Sequence, residues 1–519
     1  MAWRAQPVGR TPGTIAAAGI FALVAACLAA VAWRAADDGV PSLGPADWAA
    51  LRFTVLQACL SACLSVVLAI PVARALARRS FAGRRALVAL LGAPFLLPVI
   101  VAVLGLLTVF GRGGWISSLL GLFGLPPLSI YGLQGVVLAH VFFNLPLATR
   151  LLLQGWQEIP PERFRLAAQL GAGPREVHRL LERPMLREAV PGALALVFAV
   201  CLTSFAVALT LGGGPRATTL ELAIYQAVRF DFDLGRAAVL SVLQLALGLL
   251  AVVAGLAVAA PAGFGGGIGR VPVRWDRTGR AAQVLDGLAI AFAALFLLVP
   301  LAAILLAGLK GLPALEGPVW RAAATSLIVA GASTVLYLAL ALPVALTAAA
   351  GRPLAETAGL PGLVASPLVI GTGLFLILYP FIDPGRAALP VTVLSNAVMA
   401  LPFGLRVLVP AARAELARSG RLAMGLDMGG WNYLRHVLLP QLRGPLGFSA
   451  GIAAALSMGD LGVIALFADP DLATLPLAIL RLMGAYRMEQ AAGAALVLAV
   501  LTLAVFWMFD RGGHARAAL

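Results

Sequence analysis

The stretch Arg165-Leu166-Ala167-Ala168-Gln169-Leu170-Gly171 recurs 256 residues later as Arg421-Leu422-Ala423-Met424-Gly425-Leu426-Asp427. The match runs on without a gap, so that Pro184 aligns with Pro440 at the same offset. Upstream of it, Leu145-Pro146 aligns with Leu401-Pro402. The chain therefore carries an internal repeat. This repeat predicts two related halves over residues 1–260 and 283–519, joined by a Gly- and Arg-rich linker over 261–282.

The composition around this repeat indicates a membrane protein. Of the 519 residues, 61% are hydrophobic and 12% are charged, and the mean hydropathy is +0.96. Soluble globular chains have about 45–50% apolar and about 25% charged residues. The balance found here excludes an ordinary soluble domain and points to lipid as the surrounding medium.

Twelve apolar runs are long enough to cross the bilayer as helices, which takes about 20 residues each. Their approximate limits are 14–33, 52–73, 87–110, 131–153, 190–211, 236–260, 283–309, 322–349, 360–380, 388–410, 446–467 and 490–509. They must be helical, because an open strand in lipid leaves backbone groups unpaired. An even number of spans in each half makes the repeats parallel. The predicted fold is an all-α polytopic membrane protein with two pseudo-symmetric six-helix halves around one pathway.

The charged residues predict the orientation. The formal net charge is +15, and the arginines cluster in alternate loops, such as 74–85, 163–187 and 413–443. The opposite loops hold aspartates, for example Asp231 and Asp383. Arg-rich loops lie on the cytoplasmic side, so both termini are expected there. The positive charge is explained by the membrane topology, and nucleic-acid binding is not expected.

No motif for catalysis or metal binding is evident. The four cysteines lie in apolar runs, and Cys59 and Cys63 are read as packing residues rather than a metal pair. The phosphate-binding pattern G-x-x-x-x-G-K-[ST] is absent. We therefore expect no metal and no enzymatic activity in this chain.

The repeated segment lies in a predicted cytoplasmic loop, where lipid packing cannot account for the similarity. Leu166, Leu170, Val177 and Leu181 have helical spacing, interrupted by Gly171-Ala172-Gly173-Pro174. This pattern predicts two short helices with a bend between them, the second ended by Pro184. Exposed loops that stay alike favour docking of a partner.

These loops resemble the EAA loops of ABC-importer permeases, whose short helix docks in a cleft on an ATP-binding subunit. Two departures stand out: the family's glutamate is absent, and its glycine is kept as Gly171 but is Asp427 in the second copy. The resemblance implies a type I importer permease that couples to the ATP-binding subunit, expected in two copies, which holds ATP and Mg. The coupling residues carried over are Arg165, Leu166, Ala167, Ala168, Leu170, Gly171, Pro184, Arg421, Leu422, Ala423, Leu426, Asp427 and Pro440.

Other segments are most similar to thiamine-importer permeases. They are His140-Val141-Phe142-Phe143-Asn144-Leu145-Pro146, the stretch from Leu211 to Gln226, and Ser457-Met458-Gly459-Asp460-Leu461-Gly462-Val463. The resemblance implies inward transport of thiamine and its phosphates with a periplasmic thiamine-binding protein. Permeases for iron(III) or another small solute are an alternative. An ion-coupled secondary transporter is the alternative from another class.

Candidate site residues follow from these segments. Asp460 lies within the eleventh run, where a charge is costly, so it should line the pathway, steady a gate, or pair with a polar neighbour near a helix end. Its negative charge suits a cationic thiazolium. The pathway or gate candidates are Ser204, Phe205, Ser457, Gly459 and Asp460. The candidates for periplasmic docking of the binding protein are Gly212, Gly213, Gly214, Asp469 and Asp471, although two ordinary turns are the alternative.

Overall fold

The computed structural model describes residues 9, 11–37, 43–92, 96–212, 214, 217–258, 279–467 and 472–514. Within these ranges the secondary structure is helical, with no strand. The helices before the linker are α1 (Thr11–Asp37), α2 (Pro45–Arg78), α3 (Arg84–Leu90), α4 (Val99–Phe110), α5 (Trp115–Leu122), α6 (Leu133–Glu158), α7 (Pro161–Gln169), α8 (Pro174–Val177), α9 (Arg183–Leu202), α10 (Phe205–Leu211), α11 (Leu220–Arg229) and α12 (Leu234–Val258).

The helices after the linker repeat this order in outline. They are α13 (Arg280–Gly311), α14 (Gly317–Ala349), α15 (Pro361–Val364), α16 (Pro367–Leu378), α17 (Pro384–Gly425), α18 (Gly430–Tyr433), α19 (Leu439–Gln441), α20 (Arg443–Met458), α21 (Gly462–Phe467), α22 (Leu475–Gly484) and α23 (Met488–His514). Eleven described helical segments are long and apolar enough to cross a membrane, or twelve if one bent pair forms a single span. The predicted all-α, multi-pass fold is confirmed.

The third and ninth predicted spans differ from the structure. The run 87–110 is divided between α3 and α4, and α4 begins after Pro98. In place of 360–380, two apolar segments meet at an angle of 90° on either side of Ala365 and Ser366. Proline restricts the residue before it to extended conformations, and Ser366, which precedes Pro367, has ψ 159°. Helices α4 and α16 therefore both start inside the apolar region.

The fifth and eleventh predicted spans are interrupted. Helix α9 ends at Leu202 and α10 begins at Phe205, whereas α20 ends at Met458 and α21 begins at Gly462. Ser204 at the first break has the extended values φ −85° and ψ 95°. Both breaks create helix ends within segments that the sequence presented as continuous.

The first helix of each predicted half packs against the other half. Helix α1 contacts α14 and α16, and α13 contacts α2 and α4. Small residues allow this approach: a Cβ added to Gly13 would lie 2.1 Å from the Pro343 carbonyl oxygen, and one on Gly105 would lie 2.6 Å from that of Pro300. Because these contacts cross between the N-terminal and C-terminal helices, the two sets form one intertwined bundle.

Candidate functional site

The two copies of the repeated loop share the same turn at the end of the first short helix. Gly171 and Asp427 both have left-handed backbones, with φ 67° and 54°. The next residue in each copy closes the same turn, since Ala172 N donates to Ala167 O at 2.9 Å and Met428 N donates to Ala423 O at 2.8 Å. A left-handed residue with this type of backbone bond is a usual helix C-terminus. The bend predicted after the first short helix is present at both positions.

The second part of each loop continues into the next span. Residues His178–Glu182 and Leu434–Leu438 form π-helical turns at equivalent positions. Pro184 lies in the first turn of α9, so the prediction that it stops the helix is wrong. Pro440 likewise lies within α19. We attribute this to the π-turn, because its changed hydrogen-bond spacing accommodates a residue that has no N–H.

The first part of the loop differs between the copies. In the first copy, Pro160 and Pro161 separate α7 from α6. In the second copy α17 runs unbroken to Gly425, so the predicted span 388–410 is too short. The second loop is therefore a continuous extension of a spanning helix, whereas the first is separated from its spanning helix by a break before α7.

Matching leucines are exposed on both loops. The exposed fractions are 56% and 76% for Leu166 and Leu170, and 67% and 63% for their counterparts Leu422 and Leu426. Arg165, Ala168, Arg421 and Asp427 are also exposed, but Ala423 is buried and supports the loop from inside. Each loop thus presents a small apolar surface at its tip.

Different interactions hold the loops to the bundle. In the first copy, fully buried Glu182 accepts a hydrogen bond from Trp156 Nε1 at 3.3 Å, and Arg74 lies 2.8 Å from its carboxylate. The equivalent position in the second copy is Leu438, buried in an apolar cluster. There, Tyr433 and Ser419 hydroxyls lie 2.7 Å apart, and burial raises the pKa of the Tyr433 phenol, so that it stays neutral. The sequence analysis did not select Glu182, because an acidic residue in an Arg-rich loop is ordinarily exposed to solvent.

We expect Asp427→Gly to be tolerated and Asp427→Val to be damaging. Glycine adopts the left-handed backbone freely, whereas a β-branched residue is strained there by about 1–3 kcal/mol. The Val variant should lower the thermal midpoint of the purified protein and weaken ATPase stimulation in the complex, and the Gly variant should do neither. Equal behaviour of the two variants would contradict the importance of this backbone conformation.

The pathway candidates from the C-terminal helices form a polar cluster at the α20–α21 break. Asn396 Nδ2 donates to Ser457 Oγ at 3.0 Å, and Ser457 Oγ lies 3.2 Å from Ser333 Oγ. Asp460 Oδ1 accepts from Gly462 N at 3.1 Å, so the carboxylate caps the start of α21. Its other oxygen, Oδ2, is buried and has no hydrogen-bond partner among the described residues. Asp460 therefore lies near a helix end, and its Oδ2 atom is free to accept a hydrogen bond.

The two breaks lie against each other. A Cβ added to Gly462 would lie 3.8 Å from Phe205 Cδ1 and 3.0 Å from Leu368 Cδ1. One added to Gly459 would lie 3.3 Å from the backbone of Pro98, which precedes α4. The structure therefore brings together helix ends from both halves of the chain, at a point that sequence spacing alone did not reveal.

The periplasmic docking candidates are only partly described. Gly212 follows α10, and Gly214 has a left-handed φ of 115°. Gly132 N donates to Leu211 O at 2.8 Å, which ties this turn to the start of α6. Gly213, Asp469 and Asp471 lie outside the described residues. The helix ends before Gly212, and the docking role of this region stays a prediction.

In the part of the chain that the structure describes, no group of three or more His, Cys, Asp or Glu side chains could hold a metal ion. Cys59 and Cys63 are exposed on α2, beside the exposed side chains of Leu60 and Leu64. They lie on an outer apolar face of the bundle.

Comparison with known proteins relates the whole chain to bacterial permeases. No family model matches the sequence. The chain is 42% identical over 517 residues to the thiamine transport system permease protein ThiP of Brucella abortus, covering 97% of this chain and 95% of that protein. It is 40% identical to the proteins of the same name from Salmonella typhimurium, with coverage of 99% and 100%, and from Escherichia coli, with coverage of 98% for both chains. The chain therefore belongs to the family of thiamine transport system permeases.

Proposed function

We propose that this chain is the membrane channel of an ABC importer that carries thiamine and its phosphates into the cytoplasm. The observation that carries this proposal is the pair of loops with matched exposed leucines, 256 residues apart, on equivalent helix C-termini. Two equivalent docking surfaces suit two copies of one ATP-binding subunit. The thiamine assignment rests on the names of relatives that cover nearly the full length of the chain.

The energy for transport would come from the ATP-binding subunits, which hold ATP and Mg. Each subunit would bind one loop tip. The two loops would transmit the movement of the subunits to the bundle through different contacts. The second loop is continuous with α17, and the first is tied to α2 and α6 through Glu182. Closing of the ATP-binding subunits would then shift the helices around the pathway.

The meeting point of the broken spans is the proposed gate. Segments that end inside the bundle can move relative to each other without bending a continuous helix. Phe205 fills the space beside Gly462, and Gly459 allows Pro98 to approach closely. Ser204, Ser457 and Asp460 supply polar groups at this point. In a type I importer, this point would be the barrier in the pathway that opens alternately toward the periplasm and the cytoplasm.

The proposed topology has two six-helix halves, 1–260 and 283–519, with both termini in the cytoplasm of a bacterial inner membrane. The turn at Gly212 and Gly214, together with the acidic residues Asp469 and Asp471, would then face the periplasm. We propose this side as the docking surface for a thiamine-binding protein. The linker 261–282 would lie on the cytoplasmic side with the coupling loops.

Uptake in cells tests the proposal. A strain without its own thiamine importer would receive this chain together with its ATP-binding and binding-protein subunits, and radiolabelled thiamine would be supplied. We expect uptake that disappears when either partner is omitted. Uptake of iron(III) but not thiamine by the assembled complex would contradict the substrate, and uptake without the partners would contradict the importer class.

Neutralising the gate carboxylate gives a more local test. We expect Asp460→Asn to lower thiamine transport by about tenfold, the equivalent of 1.4 kcal/mol in the transport barrier, because the substrate is a cation. Asn keeps the shape and can still accept from Gly462 N, so a purely structural cap would survive. The readout is initial uptake rate at equal amounts of membrane protein. An unchanged uptake rate would show that transport does not need the negative charge of Asp460.

A further inference from the structure

A second buried carboxylate, Glu221, lies near the meeting point of the broken spans. Its side chain is fully buried at the start of α11, and neither carboxylate oxygen has a hydrogen-bond partner of good geometry among the described residues. Ser366 and Gln244 are the polar side chains that face it. No described Lys or Arg forms an ion pair with it. A buried unpaired carboxylate is costly and calls for an explanation.

Helix α16 connects Glu221 to the gate. Ser366 faces Glu221 and caps α16 by accepting from Val369 N at 3.1 Å. Two residues further along, the Leu368 side chain lies against Gly462, whose N–H donates to Asp460. On the other side, Gln244 Nε2 donates to Leu202 O, the last residue before the α9–α10 break, at 3.0 Å. Glu221 therefore lies among the same helix ends as the two breaks.

A pair of aromatic rings links the helix of Glu221 to the turn that holds Asp460. Tyr225 is one turn after Glu221 on α11, and so lies on the same face of the helix. Its ring is 5.2 Å from that of Phe205 in an edge-on arrangement, and Phe205 in turn lies beside Gly462. Aromatic ring faces attract organic cations, and a nearby carboxylate adds an opposite charge. Arg229 and Arg481 lie close enough to the Tyr225 hydroxyl to act on it electrostatically, and Arg229 is two turns beyond Glu221 along the helix.

The second half shows that the helix start does not require a carboxylate. Leu220 N donates to Thr54 Oγ1 at 2.9 Å, and Leu475 N donates to Ser326 Oγ at 2.8 Å, so α11 and α22 begin in the same way. The residue that follows is Glu221 in α11 but Pro476 in α22. A role for Glu221 in the helix dipole alone would leave this asymmetry unexplained, because α22 forms without an acidic side chain in its first turn.

Each half thus contributes one carboxylate that its counterpart lacks. Glu221 comes from the first half and corresponds to Pro476, whereas Asp460 comes from the second half and corresponds to Ser204. Each carboxylate retains at least one buried oxygen without a partner. We propose that Glu221 and Asp460, with the Phe205–Tyr225 ring pair, form a transient binding site for an organic aromatic cation at the gate.

This inference rests on the proposed thiamine transport, since the thiazolium ring of thiamine carries a permanent positive charge. In this structure Oδ2 of Asp460 and both carboxylate oxygens of Glu221 are buried. Separation of the broken spans would expose them to the pathway, and a passing cation would compensate their charge. Glu221 would therefore act as a specificity-determining residue, favouring a solute with a cationic ring such as thiazolium over one without a cationic group.

The test uses the full complex in proteoliposomes, with thiamine transported per ATP hydrolysed as the readout. We expect Glu221→Gln and Glu221→Pro to assemble, since proline occupies the matching position of α22. Both variants should lower the thiamine-to-ATP ratio by about tenfold or more, and Glu221→Asp should retain most of it. A merely structural role would reduce transport and ATP hydrolysis together and leave the ratio unchanged.

Two results would overturn the inference: an unchanged ratio in Glu221→Gln, or failure of both Gln and Pro variants to assemble. The second result would make Glu221 a structural residue. Failure of the proposed function is distinguishable, because the unmodified complex would then transport no thiamine at all. Transport of thiamine by the unmodified complex together with a normal ratio in the variants refutes only the site.

Discussion

Replacing Leu170 and Leu426 together by Asp is expected to abolish transport while leaving the protein folded. The two side chains are exposed at matching positions, so a charge there should not disturb the bundle. In the proposed complex they enter apolar clefts on the ATP-binding subunits. Loss of an apolar anchor at the centre of an interface typically weakens binding by 2 kcal/mol or more, which is about thirtyfold at each loop.

The measurement is co-purification of the ATP-binding subunit together with uptake of labelled thiamine. Leu354→Asp provides a matched control, since Leu354 is 79% exposed in the helical turn Pro353–Gly359, outside both loops. The control should transport normally. The single variants Leu170→Asp and Leu426→Asp show whether the first and the second loop contribute equally. Normal co-purification and uptake by the double variant would contradict the docking assignment.

Gly404→Ala is expected to cause the largest loss of stability. A Cβ at this position would lie 1.4 Å from the hydroxyl oxygen and 2.4 Å from Cζ of the fully buried Tyr337. Helices α14 and α17 pack closely here, so one of them must move. Overpacking of this kind costs about 3 kcal/mol. The midpoint of thermal unfolding in detergent, followed by size-exclusion chromatography, should fall clearly.

A second-site change and a control make this prediction specific. Tyr337→Phe removes the atom nearest to the new methyl group, so the double variant should recover part of the lost stability. Gly331→Ala, on the same helix α14, adds a methyl group with no atom within 4 Å and should be neutral. A normal midpoint for Gly404→Ala would contradict the close packing of these helices.

The general architecture was predictable because lipid imposes a simple rule on the sequence. Every backbone group in the membrane must be paired within a helix, so that long apolar runs identify most of the described spans. The loop conformation was also predictable in part, since Gly171 marks a position that suits a left-handed backbone. Asp427 carries no such sequence signal, and only its alignment with Gly171 indicates the same turn.

The breaks inside the spans were not predictable from composition. Thr203 and Ser204 interrupt one span without any proline or glycine, so tertiary packing must stabilise the break. At Pro184 the sequence predicts a helix end, but the helix continues, because the proline is accommodated next to a π-turn. Hydropathy measures how apolar a segment is, and it does not report whether the helix within that segment is continuous.

The buried carboxylates differ in how far the sequence reveals them. Asp460 was identifiable because it lies in an apolar run, but Glu182 and Glu221 lie in mixed segments where acidic residues are usually exposed. Both are fully buried in the structure. For Glu221, the sequence signal that could have indicated a special role is the repeat itself, which places Pro476 at the equivalent position of an otherwise similar helix start.

Reconstitution in proteoliposomes tests whether the import of thiamine is driven by ATP. The vesicles would contain this chain and its ATP-binding subunits, with ATP inside and the binding protein loaded with radiolabelled thiamine outside. We expect thiamine to accumulate inside only when ATP, the ATP-binding subunits and the binding protein are all present. Accumulation driven by a proton or sodium gradient without ATP, or hydrolysis of ATP with no thiamine accumulating, would contradict this expectation.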